Sequence, residues 1–105
     1  MKLAIAYDKE TDTVFEKFEN TQYFKLYEID SGTIDYTEIV GTMGKNTDEL
    51  ADLLLFLEDD VLICCDITEQ SAEQISDEGI IIYKNCHGTS ESVFQNFLNG
   101  KLLYN

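Results

Sequence analysis

Leu3, Ile5 and Tyr7 alternate with Ala4 and Ala6. That period of two predicts an opening strand with one face of large side chains and one of small. The small face lets a helix pack closely on a central strand. Val14, Phe15 and Phe18 follow in a short connecting segment, apolar enough to be pinned to the core. Tyr23 to Ile29 is rich in aromatic and branched residues, Asp30-Ser31-Gly32 reads as a turn, and Ile34 to Val40 resumes the strand pattern. Together they predict a hairpin.

Gly41 to Lys45 breaks the alternation. Asn46, with Glu49 three residues on, is the signature of a capping box. Leu50, Leu53, Leu54 and Leu57 then mark one face of a helix. Leu55 and Phe56 broaden that stripe, so the helix is also expected to meet a partner chain. Asp59-Asp60 ends it. The unbroken apolar run Val61 to Cys65 predicts a parallel strand covered on both faces. Thr68 or Ser71 caps a short helix through Ile75, closed by Gly79. Ile80 to Tyr83 reads as a second doubly buried strand. Thr89 caps a last helix with Val93, Phe94, Phe97 and Leu98 inward, stopped by Gly100.

A strand, a hairpin and then alternating helices and strands predict an α/β fold, a five-stranded mixed sheet with helices on both faces. Ligands of such sheets gather beyond the C-terminal ends of the parallel strands. Here that rim carries Asp8, Cys65-Asp66 and Asn85-Cys86-His87-Gly88.

Composition narrows the function. The 105 residues suit a single domain, residues 1–105, and 44% hydrophobic content is too high for a disordered chain. Net charge is −14. Nucleic-acid binding and anionic membranes both require the opposite sign. The longest apolar run, Leu53 to Leu57, cannot span a bilayer, and the apolar stretch after Lys2 is too short for a secretion signal. A cytoplasmic location is expected. Three cysteines, two of them adjacent, make no disulfide framework.

The sharpest chemistry is Cys64, Cys65, Cys86 and His87. Sulfur and imidazole brought to one rim from two strand ends suit iron–sulfur clusters, zinc or copper(I). Helices starting near Thr68 and Thr89 aim their positive ends at the same place, which favours an anionic cluster. The bland alternative is plain core, because adjacent cysteines on a strand face opposite ways and free cysteine is commonly buried. A second constellation, Asp8, Glu49 and Asp66, occupies positions where a metal-dependent nuclease carries its carboxylates, an analogy at the level of fold alone.

Ala4 to Asp8, Val14 to Phe18, Tyr23 to Ile29 with Gly32 and Ile34, Leu50 to Leu54, Val61 to Cys65 and Gly79 to Tyr83 together resemble the dinitrogenase iron-molybdenum cofactor biosynthesis family. So does the ending with Val93, Phe97-Leu98 and Gly100-Lys101-Leu102. The resemblance implies a ribonuclease H-like motif. It also implies a non-catalytic protein that binds or carries an iron–sulfur or nitrogenase-cofactor precursor. Where the family commonly reads Val-Phe-x-His-Phe-Gly, this chain has Lys17 and Glu19 in place of the histidine and the glycine, so no ligand carries over by position. The alternatives are a cofactor-free interaction or regulatory domain, with a protein partner or self-association through the Leu55 and Phe56 face, and, more distantly, the nuclease.

Overall fold

The strand from Lys2 to Asp8, β1, forms the centre of the sheet because both of its edges are paired. The computed structural model describes residues 1–102, so residues 103–105 of the expected domain lie outside the described residues. The other strands and α-helices are β2 (Thr13–Val14), β3 (Tyr23–Asp30), β4 (Thr33–Gly41), α1 (Thr47–Phe56), β5 (Val61–Ile63), α2 (Glu69–Asp77), β6 (Ile81–Tyr83) and α3 (Ser90–Leu98), with a 3-10 turn over Phe18–Asn20. Strand order is β4-β3-β1-β5-β6, and the two-residue β2 is attached to β1. β3 and β4 run antiparallel, β5 and β6 parallel, as a mixed sheet of the ribonuclease H-like type requires.

The alternation in β1 sorts the core into two layers. Ala4 and Ala6 face the same way as Phe24, Leu26 and Leu62, under α1 and α2 with Leu50, Leu54 and Ile75. Leu3 and Ile5 face the other way with Tyr27, Val61 and Ile63, under α3 with Val93 and Phe94. The alanines sit on the side that carries two helices, so the small face does meet helices. Tyr27 stacks on Phe94 with ring centroids 4.2 Å apart.

Local signals place the ends. Asn46 and Glu49 form the reciprocal capping box at the start of α1. Thr68, rather than Ser71, caps α2, and Thr89 caps α3. Ser31 and Gly32 both have positive φ, +52° and +82°, the backbone a two-residue hairpin turn demands. No helix among the described residues is long and apolar enough to cross a membrane.

Three expectations need correction. β5 ends at Ile63, so Cys64 and Cys65 lie just past the strand. The strand expected over Ile80 to Tyr83 is not buried on both faces. β6 is the last strand of the sheet, and although Tyr83 meets the edge of Phe97, Ile81 lies two residues beyond and is 44% exposed. Leu98, expected inward, is 37% exposed at the last turn of α3. Periodicity alone cannot show where a covering helix stops.

Candidate functional site

Parallel pairing of β5 with β6 brings the chain after Ile63 alongside the chain after Tyr83. The backbone N–H groups of Asn85 and Cys86 donate to the carbonyls of Cys65 and Cys64, at 2.8 and 3.1 Å. These two bonds carry the register one step past the sheet. As a result Cys65 Sγ lies 3.3 Å from His87 Nδ1. Asn85, with φ of +61°, makes the reversal that turns His87 back toward Cys65.

A third strip of chain completes the site. Asp66 N–H donates to the Glu16 carbonyl at 2.9 Å, and Phe18 N–H donates to the Asp66 carbonyl at 2.8 Å. Phe18, fully buried under the sheet, anchors this stitch. The outcome is an open cleft of about 520 Å³ lined by Glu16, Cys65, Asp66, Asn85, His87 and Gly88 among others. Cys65 is itself buried, at 7% exposure, which raises its thiol pKa, and the carboxylates of Asp66 and Glu16 push it the same way. Glu16 escapes sequence reasoning. Its place in the cleft comes from a backbone bond to Asp66, which no local pattern reports.

The four expected ligands separate. Cys64 is fully buried in the layer under α1 and α2, and burial raises its pKa strongly. Cys65 faces the α3 side, so the two adjacent cysteines do point to opposite faces. Cys86 is buried as well, its thiol directed at the carbonyls of Tyr83 and Lys84, each at 3.6 Å. Burial and the neighbouring Cys65 push its pKa up to about 11. It borders a second cleft, lined also by Lys84, Asn96 and Lys101, with His87 standing between the two.

The helix starts that were expected to attract an anion face carboxylates of this chain. At α2, Glu19 Oε2 accepts from the backbone N–H and the hydroxyl of Thr68, at 3.0 and 3.1 Å. At α3, Ser90 donates to Asp12 twice, from its N–H to the carbonyl and from its hydroxyl to the carboxylate, both at 2.9 Å. Tyr7 also donates its hydroxyl to Asp12, and Lys25 Nζ stands 3.6 Å from the same carboxylate. That bond to Asp12, with burial adding to it, raises the Tyr7 pKa to about 12.

The nuclease triad is not assembled. Asp8 borders a different cleft with Tyr7 and Tyr23, and its carboxylate accepts from the backbone of Glu10 and Thr11. Glu49 is committed to capping α1. Among the described residues no three His, Cys, Asp or Glu side chains are gathered to hold a metal ion. One thiol and one imidazole do not make the set of about four thiolates that houses a resident iron–sulfur cluster. They do fit two corners of a single soft or borderline metal.

A central mixed sheet, helices on both faces and a thiol–imidazole cleft at the strand ends define a small α/β domain with a rim site. The family model described as dinitrogenase iron-molybdenum cofactor matches residues 1–100, and the chain belongs to that family. The fold is shared with the crystal structure of PH0822, at TM-score 0.88 and 21% identity, covering 100% of this chain and 96% of that one. A candidate dinitrogenase from Methanocaldococcus jannaschii gives TM-score 0.81 at 23% identity, covering 100% and 94%. The apo form of the orange protein from Desulfovibrio gigas gives 0.84 at 18%, covering 99% and 92%. At these identities the likeness is one of fold. No curated protein matches the chain.

Proposed function

We propose that this protein is a non-catalytic metal-cofactor binding or carrier member of its family, and that it holds metal-bearing cargo through Cys65 and His87. The observation that carries this reading is the 3.3 Å approach of the Cys65 thiol to the His87 imidazole in an open cleft. Metal-bearing cargo that completes its coordination with other ligands needs only terminal donors from the protein. Two donors hold such cargo loosely, which suits delivery better than storage. Cys64 is fully buried on the opposite face of the sheet, and the Cys86 thiol is directed at the carbonyls of Tyr83 and Lys84, which leaves Cys65 as the thiol beside the imidazole.

Anaerobic loading tests the reading, once with iron plus sulfide and once with a divalent metal alone, followed by repurification and elemental analysis. Metal should be retained in the parent and lost in Cys65→Ser and His87→Ala. Protein that emerges metal-free from both loadings overturns it.

A further inference from the structure

We infer that the Cys65–His87 cleft is selective for a single thiophilic divalent cation, and disfavours an anionic sulfide cluster. This rests on the proposed metal-binding role of the pair and specifies the class of cargo. Two independent features carry it.

The first is spacing. Metal–sulfur and metal–nitrogen bonds of about 2.3 and 2.0 Å at a tetrahedral angle hold S and N roughly 3.5 Å apart. Cys65 Sγ stands 3.3 Å from His87 Nδ1 and 3.9 Å from Nε2, so the sulfur lies beside the ring, and a turn of the imidazole is what brings a nitrogen lone pair and the thiolate onto one ion. The remaining corners open into the cleft, free for water or for an acceptor's ligands.

The second is the sign of the charge around the pair. The charged residues lining the cleft, apart from the histidine, are Glu16 and Asp66, and no lysine lines it. Both helix starts that could attract an anion are already engaged, α2 with Glu19 and α3 with Asp12. Lysines do stand nearby, but Lys84 and Lys101 line the other cleft, across His87. A cation in the Cys65 cleft gains from two carboxylates. An anion meets their repulsion, with the dipoles that would offset it committed elsewhere.

Anaerobic titration with Co²⁺ alone, read by thiolate-to-cobalt charge-transfer absorption and by competition with Zn²⁺, tests the inference beside iron-plus-sulfide loading. One Co²⁺ should bind per chain with that absorption, and Cys65→Ser should abolish the band. Glu16→Gln should weaken Co²⁺ binding roughly fivefold, the effect of removing one nearby charge, and should not impair cluster loading. Cys64→Ala should leave the titration unchanged, and circular dichroism confirms folding of every variant. A cluster that assembles on Cys65 of the parent in preference to Co²⁺, and that Glu16→Gln leaves unstrengthened, overturns the inference while leaving the metal-binding role standing. A Co²⁺ signal that survives Cys65→Ser, or that Glu16→Gln leaves unweakened, overturns it as well. Absence of both metal and cluster overturns both proposals together.

Discussion

Glu19 reaches across 49 positions of sequence to close the N-terminus of α2, its carboxylate bound by the N–H and hydroxyl of Thr68 at 3.0 and 3.1 Å. Where the family commonly has a glycine, this chain carries its own anion for the helix. Partial burial opposes ionisation of Glu19, but the bonds from Thr68 and Ser71 outweigh it and lower the pKa.

Glu19→Ala should therefore destabilise the protein by about 1 kcal/mol, the usual cost of losing a helix cap and its charge-assisted bonds. The folded pKa lies below the unfolded one, so the contribution is present at neutral pH. It fades as pH falls below the ordinary glutamate range. Urea unfolding at pH 7 and pH 3 should show a clear difference between parent and variant at the higher pH and a smaller one at the lower.

Asp59 behaves in the opposite sense. It is buried between α1 and β5, where only the backbone of Asp60 and the charge of Lys2 favour its ionised form. Burial, with Asp60 adjacent, raises its pKa to about 8. The folded state thus holds a proton that the unfolded state has released, and stability falls as pH rises from about 4 to about 8. Asp59→Asn should remove this slope and be more stable than the parent at pH 9, by on the order of a few kcal/mol. Denaturant midpoints at pH 5, 7 and 9 decide it.

Tyr7 should ionise well above the ordinary tyrosine range. Its hydroxyl is donated to the Asp12 carboxylate, which holds the pKa up to about 12. Asp12→Asn should bring one phenol down toward the ordinary value. Alkaline titration at the phenolate absorbance band reads this directly, and a titration unchanged by the substitution would contradict the bond.

Position on α1 should decide the cost of truncation. Leu54 is fully buried, whereas Phe56 is 82% exposed. Leu54→Ala should cost about 2–5 kcal/mol, and Phe56→Ala less than about 0.5 kcal/mol. Paired thermal melts of the two variants check the contrast.

Much of this architecture is written locally. The capping box at Asn46 and Glu49, the Ser31-Gly32 turn and the small-residue face of β1 are each specified within a few positions, and the structure contains all three. The opposite facing of Cys64 and Cys65 follows from backbone geometry as well. The exposure of Ile81 and Leu98 was not legible, because an apolar residue at the end of an element reads the same whether or not another element reaches it.

The candidate site divides along the same line. Residue types and strand order, both local or nearly so, were enough to bring Cys65 and His87 to one rim. Which thiol joins the imidazole, which carboxylates border it and what fills the helix starts were decided by contacts between distant segments: Glu16 with Asp66, Glu19 with Thr68, Asp12 with Ser90. Dihedral preference and hydrophobic period act over a few residues. The electrostatic character of a cleft is set by whichever side chains the completed fold places around it, so only the tertiary structure could assign its sign.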